Sequence, residues 1–260
     1  MSKPSGAIDM TQGKPINLML RFALPMMIGS IFQSLYSMVD SAVLGRFVGS
    51  HALAAIGATT STTGLILLLA TGVTSAISIV LSQYVGANDT DRVRKGIVAS
   101  GWITLLLGVV LGLISVFAAR PLMQLLKTPE DVIDMSVLYI QIVCGCGIAQ
   151  FAYNAAASIL RALGDSKTPL YFLILCSILN VILDLISVIG LNMGVAGVAV
   201  ATVGSQAISA AICILVMFRK YPDLMPKRHT LRPDMPVSLK IFGMGAQMAL
   251  QSLFLSVGMM

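Results

Sequence analysis

Charged residues are scarce in this sequence. Lys, Arg, Asp and Glu make up 11% of its 260 residues, while 57% are hydrophobic and the mean hydropathy is +0.90. Soluble domains carry about 25% charged residues, so a soluble protein of this composition would have too little polar surface to face water. The composition therefore excludes the soluble classes and predicts an integral membrane protein.

Residues that bind transition metals are scarce as well. The two histidines, His51 and His229, lie far apart near predicted loops, and all four cysteines lie in apolar segments. Cysteines in such segments usually behave as small buried hydrophobes. A single Cys-Gly-Cys with no neighbouring His or further Cys is only a weak indication of a metal. We expect no disulfides and no cofactor.

Long apolar runs, by contrast, are abundant. A transmembrane helix needs about 20 mostly apolar residues, and segments of that length alternate with Gly, Pro and charge clusters along the whole chain. None shows the alternating pattern of barrel strands, which are about ten residues long. The sequence thus predicts an all-α polytopic membrane protein. Its predicted spans are residues 17–46, 53–85, 94–118, 134–162, 169–190, 194–218 and 238–260.

The basic residues are concentrated in every second connection between the predicted spans. Of the 17 Lys and Arg residues, only Arg46, Arg120 and Lys127 lie in one set of alternate connections, and all others lie in the N-terminus and the other set. Basic connections stay in the cytoplasm. The net charge of +6 therefore indicates membrane orientation rather than nucleic-acid binding, and we expect a cytoplasmic N-terminus.

The longest polar connector contains four prolines, which interrupt any helix, and is followed by a segment that resembles the first span. Pro15 can be aligned with Pro236, and Met27 with Met248, which indicates the kind of internal repeat on which transporters are built. We expect a protein of twelve helices, most of whose second lobe is missing here. The predicted parts are a cytoplasmic N-terminus (1–16), a six-helix lobe (17–218), a cytoplasmic linker (219–237) and the first helix of a second, pseudo-symmetric lobe (238–260).

Two of the 11 acidic residues, Asp40 and Asp184, lie well inside predicted spans. A charge at that position costs at least ~2.5–3.5 kcal/mol on insertion scales, so such a residue marks a functional site by default. Both helices are predicted to run outward from the cytoplasm. At 1.5 Å per residue, each aspartate lies about 9 Å from the outer end of its helix. The equal depth predicts that the two carboxyl groups meet.

Polar residues surround these aspartates in the predicted helices. Tyr36 and Asn180 each lie one turn before an aspartate on the same helix face. Thr202 lies about 12 Å into the sixth span from its outer end. We predict one polar cluster, while Asn180 and Thr202 remain open to the alternative of simple interhelical hydrogen bonding. Tyr139 lies near the aspartates in depth. Gln33, Gln150 and Asn154 have two alternatives, lining a cavity or joining helices.

Two carboxyl groups in a low-dielectric site favour neutralisation by a proton or a cation. Oxygen atoms of Asp, Asn and Thr would suit a hard cation such as Na⁺, and the same groups could instead share a proton. Such a site can couple an ion gradient to a conformational change. Intramembrane aspartyl proteases also use two aspartates, but their Tyr-Asp and Gly-x-Gly-Asp motifs are absent from "SMVDS" and "VILDL". We therefore predict that the protein is not an enzyme.

Pro25 lies inside the first span, in "RFALPMMIG". Proline removes a backbone hydrogen bond and permits a kink. The sequence leaves open whether this kink is static or a moving hinge.

Three segments of the chain resemble the multidrug and toxic compound extrusion (MATE) family, in its DinF-like prokaryotic branch. They are "LPMMIGSIFQSLYSMVDSAVLGRFVG" (24–49), "ASILRALGDSKTPLYFLILCSILNVILDLI" (157–186) and "GVAGVAVATVGSQ" (194–206). The resemblance implies two six-helix lobes around a central cavity, in the plasma membrane of a prokaryote. It also implies efflux of organic, often cationic, compounds by alternating access, driven by H⁺ or Na⁺.

The resemblance further implies a set of functional residues. The cation site falls on Asp40, Asn180, Asp184 and Thr202, with Tyr36, Tyr139 and Asn154 nearby, and helix bending falls on Pro25. An alternative is a lipid-linked sugar flippase of the same superfamily, which tends to bind anionic head groups through basic cavity residues. No Lys or Arg lies mid-span in the first lobe, and this favours the drug exporter.

Overall fold

The computed structural model of the chain describes residues 15–226 and 232–258, which form a bundle of α-helices. The helices are α1 (Pro15–Val43), α2 (Ser50–Gly86), α3 (Thr90–Leu125), α4 (Glu130–Gly145), α5 (Ile148–Ala162), α6 (Lys167–Asp184), α7 (Gly194–Lys220) and α8 (Met235–Gly258). Two π-helical turns, Leu44–Val48 and Leu185–Gly190, extend α1 and α6.

Five of these helices are long and apolar enough to cross a membrane, and the bent pair α4–α5 makes a sixth within the described residues. The predicted all-α polytopic fold is therefore confirmed, and each predicted span coincides with a helix or with this pair. Part of the predicted N-terminal segment and of the predicted linker, and the last two residues, lie outside the described ranges. The division into lobes stays a prediction.

One predicted span, residues 134–162, is broken in the structure. It bends by 43° between α4 and α5. At the break the backbone packs closely on α3, because a Cβ on Gly112 would lie only 2.9 Å from the carbonyl oxygen of Gly145. Within the break itself, a Cβ on Gly147 would lie 2.9 Å from the Cys144 carbonyl oxygen at the end of α4. Small residues at both helices allow this close approach.

The connections between helices alternate between two ends of the bundle. At one end, the basic end, Lys220 contacts Asp165 and the Arg94 guanidinium donates to the Asp223 carbonyl oxygen at 2.6 and 2.8 Å. The other end of the bundle is called the opposite end, and there Arg120 lies 3.3 Å from Asp134. These contacts place the connections at alternate ends, as the spans predict.

The main apolar core lies between α2, α3, α5, α7 and α8. Ile77, Leu81 and Ile241 are fully buried there. The crossing of α2 with α8 is the closest part, since a Cβ on Gly72 would lie 2.7 Å from the backbone nitrogen of Ala249. The backbones of α2 and α8 therefore touch, and α8 is an integral part of the bundle.

We expect Gly72→Val to destabilise the protein by roughly 1–3 kcal/mol, because a larger side chain in this crossing forces the two helices apart. Thermal unfolding in detergent measures the effect. Gly64→Val on the same helix is the matched control, since nothing lies within 4 Å of its added Cβ. Equal melting temperatures for the two variants would contradict a close α2–α8 crossing.

Candidate functional site: a buried carboxylate pair

Helices α1 and α6 pack side by side and bring the predicted aspartates together. The carboxyl groups of Asp40 and Asp184 lie within interaction range of each other. Asp184 is 0% exposed, and Asp40 is half-buried. Both carboxyl oxygens of Asp184 and Oδ1 of Asp40 are buried without a hydrogen-bond partner among the described residues. The pair therefore presents three buried acceptor oxygens.

Asn180 belongs to the same site. It lies one turn before Asp184 on α6, is 0% exposed, and neither its amide oxygen nor its amide nitrogen has a partner in the described part of the chain. An unsatisfied buried polar group costs about 1–3 kcal/mol, and a charged one costs more. Carboxyl and amide oxygens are ligands for hard cations, and the same carboxyls can hold a proton. The site therefore fits either ligand.

Two tyrosines and a threonine complete the surroundings of the pair. The Tyr36 hydroxyl lies within interaction range of Asp40 and of Thr202. Thr202 is 6% exposed, and its hydroxyl donates to the Val198 carbonyl oxygen at 2.9 Å, which leaves its oxygen lone pairs available. Tyr139 of α4 lies within range of both aspartates. The structure thus gathers these predicted residues between α1, α4, α6 and α7.

Gln33, Asn154 and Pro25 are the remaining predicted residues. Gln33 is exposed on α1, and the Asn154 amide nitrogen donates to the Gln150 carbonyl oxygen at 3.0 Å. Among the hydrogen bonds of the described residues, neither side chain joins the carboxylate pair. Pro25 is buried in the middle of α1, more than three turns from Asp40.

The two π-helical turns were not predicted from the sequence. Each begins within a few residues of an aspartate, one after Asp40 and one directly after Asp184, and the two turns touch. Around them, a buried cluster that includes Leu44, Val188 and Val198 covers the carboxylate pair at the opposite end. Single π turns inside α-helices are frequent at functional sites, because the wider turn repositions side chains.

A second buried carboxylate, at the basic end, was also missed. Asp165 is 1% exposed and accepts hydrogen bonds from Lys220 Nζ at 2.6 Å and from the Thr168 hydroxyl at 2.6 Å. Burial alone would raise the pKa of Asp165, but the hydrogen bonds from Lys220 and Thr168 outweigh it and hold that pKa below its ordinary value. The pair ties the α5–α6 turn to the end of α7.

We expect Asp165→Asn to destabilise the protein by about 3 kcal/mol, because it breaks a buried ion pair. The value is at the low end for such pairs, since 23% of the Lys220 side chain is exposed. The lowered pKa means that the stabilisation is complete above the unfolded-state value of about 3.9 and is lost only as pH falls through the folded value. The loss of melting temperature should thus be the same at pH 5.5 and pH 8.

Asp131→Asn is the control for this substitution, since its partner His51 and Asp131 itself are mostly exposed. An exposed pair contributes about 1 kcal/mol or less. If both variants lost the same stability, the Asp165–Lys220 pair would not hold the two elements together.

Known proteins resemble the chain in sequence and in fold. A family model described as MatE matches residues 25–186. The probable multidrug resistance protein YpnP of Bacillus subtilis (strain 168) is 32% identical over 256 residues, which cover 98% of this chain and 57% of YpnP. The chain thus spans little more than half the length of this curated relative.

Two solved structures superpose closely on the bundle. One is described as the outward-facing conformation of a multidrug resistance MATE family transporter of the MOP superfamily. It gives a TM-score of 0.88 at 26% identity, over 95% of this chain and 55% of the other. The second is a MOP superfamily transporter from Pyrococcus furiosus, with a TM-score of 0.89 at 24% identity, over 99% of this chain and 57% of the other.

The chain belongs to the MatE family, as its three motif segments predicted. Members of this family are multi-pass membrane transporters and not enzymes. The family therefore agrees with the prediction that the paired aspartates do not form a protease site.

Proposed function

We propose that this chain carries the coupling-ion site of a secondary active antiporter, which exports organic, often cationic, compounds in exchange for H⁺ or Na⁺. The observation that carries the proposal is the buried carboxylate pair, whose oxygens have no partner among the described residues. Relatives named as multidrug resistance or export proteins support the substrate class. The positive-inside rule supports a cytoplasmic basic end, and the bacterial relatives support the plasma membrane of a prokaryote.

The chemistry follows from charge. With neither proton nor cation bound, Asp40 and Asp184 are two like charges in a low-dielectric site, and they repel each other strongly. One proton shared between them, or one Na⁺ held by both aspartates with Asn180 and Thr202, removes most of this repulsion. Occupancy of the site therefore changes how firmly α1 packs on α6, and it favours a different conformation of the transporter in each state.

Ethidium efflux from an efflux-deficient bacterial host tests the site. The protein expressed from its own gene is compared with Asp40→Asn and Asp184→Asn at matched membrane levels, with and without Na⁺ and an uncoupler. We expect each variant to lose efflux at least tenfold, because the neutral amide cannot take up and release a cation. The ion dependence of the wild type identifies the coupling ion. Unchanged efflux in both variants would refute the assignment.

Binding by the purified protein provides a readout that is independent of efflux. Radiolabelled Na⁺ binding, or proton release measured with a pH indicator, should disappear in both aspartate variants. Asp131→Asn is the control, because that carboxylate is mostly exposed and pairs with His51. Binding retained in Asp184→Asn would show that the coupling site lies elsewhere in the protein.

We infer that Pro25 is the bending point of α1, because proline leaves the carbonyl one turn earlier without its helical partner. We expect Pro25→Ala to reduce efflux several-fold while ion binding at Asp40 stays intact. Pro121→Ala, an exposed proline inside α3, is the matched control. If Pro25→Ala exported at the wild-type rate, the kink would be static.

A further inference from the structure

A stripe of buried polar side chains runs along one face of α7 towards the basic end. Thr202, Ser205, Ser209 and Cys213 follow each other at spacings of three and four residues, which align them on one helix face. Thr202 is 6% exposed, and the other three are 0% exposed. The stripe begins at the carboxylate pair and points along the bundle axis.

Helix α6 continues this stripe from the other side. Cys176 lies one turn beyond Asn180, and its thiol lies within interaction range of the Ser205 and Ser209 hydroxyls. Asp40 is also within range of Cys176. The seam between α6 and α7 therefore joins the carboxylate pair directly.

Helix α5 carries the seam on to the basic end. The Tyr153 hydroxyl lies within range of both Cys176 and Cys213. Cys213 in turn lies within range of Arg161 and of Asp165, the carboxylate paired with Lys220. Polar groups thus recur along the seam from the carboxylate pair to the basic end, and among them the Tyr153 hydroxyl donates to the Pro169 carbonyl oxygen at 3.0 Å. At 1.5 Å per residue, the distance from Thr202 to the end of α7 is about 27 Å.

One hydroxyl on the α7 face departs from ordinary helix packing. A buried Ser or Thr in a helix normally donates to the preceding turn, as Thr202 does to the Val198 carbonyl oxygen at 2.9 Å and Ser205 does to the Thr202 carbonyl oxygen at 3.0 Å. The Ser209 hydroxyl is buried and has no hydrogen-bond partner among the described residues, and the same holds for the Asn180 amide. Buried polar groups in proteins almost always have a partner, and inside a polar seam that partner is usually water.

We propose that the seam between α5, α6 and α7 is a narrow, hydrated route that links the carboxylate pair to the basic end and admits protons or small cations only. The proposal rests on the proposed function for the identity of the ion, while the route itself rests on the buried unsatisfied groups. The α7 side chains that line it are 6% exposed or less, so the seam is closed to a drug-sized molecule in this conformation. Substrate and coupling ion would therefore travel by different paths.

Arg161 sets the conductance of this route. It lies within range of Tyr153 and Cys213, and its guanidinium donates to the Ser158 hydroxyl at 2.9 Å. An antiporter with a freely open route would leak its coupling ion. A fixed positive charge beside the route raises the barrier for cations, as it does in selective pores. Protons or small cations then pass along the route slowly, but they are not blocked.

The cysteines of the chain test the route. Variants that retain only Cys176, only Cys213 or only Cys144 are prepared in inside-out vesicles and treated with Ag⁺ in chloride-free buffer. Ag⁺ is small enough to enter a water-lined route and to bind a thiol, and the remaining thiols are counted after denaturation. Cys144 is the matched control, because it is as buried as Cys176, at 7% exposure, but lies in an apolar cluster between α3 and α4 instead of between α5, α6 and α7.

We expect Cys176 and Cys213 to react with Ag⁺ at least tenfold faster than Cys144, and not with a bulky trimethylammonium thiosulfonate. Ser209→Val should slow the Cys176 reaction while leaving the Cys213 reaction unchanged, because Cys213 lies nearer the basic end. Arg161→Gln should accelerate both. Reaction of Cys176 and Cys213 at the Cys144 rate, equal reaction with the bulky reagent, or no effect of Ser209→Val would overturn the proposal.

These readouts do not depend on efflux, so the two proposals can fail separately. Efflux that survives both aspartate substitutions, with the expected Ag⁺ pattern, would refute the coupling site and support the hydrated route. Loss of efflux in the aspartate variants with uniformly slow Ag⁺ reactions would support the coupling site and refute the hydrated route.

Discussion

The cost of a carboxylate inside a membrane-spanning bundle is the constraint on which this structure depends. Asp184 is fully buried, and no hydrogen-bond donor among the described residues reaches its oxygens. Such a group persists only if something neutralises it. Under the proposed function, the packing of α1 on α6 and the polar face of α7 hold one neutralising ligand beside it, and the apolar cluster closes the site at the opposite end.

The two ends of the bundle solve the same electrostatic problem in different ways. At the basic end, Asp165 forms an ion pair with Lys220, a cation that belongs to the same chain. Its charge is therefore balanced permanently, and the contact acts as a structural tie. At the carboxylate pair, Asp184 faces a second carboxyl group instead of a cation. Under the proposed function, the charge there is balanced by a bound proton or cation. The two buried carboxylate sites of the described residues thus differ in their partner, which is a cation of the chain at Asp165 and a second carboxyl group at Asp184.

Local sequence was sufficient for the features that depend on periodicity. Apolar runs of membrane length predicted the helices, and equal depth within two spans predicted that Asp40 and Asp184 meet, with Asn180 on the same face. Features that depend on contacts between distant helices could not be predicted. The α4–α5 break needs Gly112 of α3 against Gly145, and Asp165 finds its partner 55 residues away at Lys220.

The same limit applies to residues on single helix faces. Gln33 was predicted to line a cavity or to join helices, and the structure leaves its side of α1 exposed. The π-helical turns are equally invisible in the sequence, since Leu, Ile and Val within them suit an ordinary helix. Both turns follow from how the ends of α1 and α6 meet each other and the start of α7.

The peripheral position of α1 has a consequence for how the protein is made. Helix α1 packs chiefly on α6 and leaves much of its apolar surface exposed. During synthesis Asp40 enters the membrane first, and at 5–20 residues per second Asp184 follows roughly 7–30 seconds later. For that interval α1 carries an acidic residue whose partner helix has yet to be translated. Asp40 therefore has to enter the bilayer protonated or held by the insertion machinery, and the site is assembled only when α6 arrives.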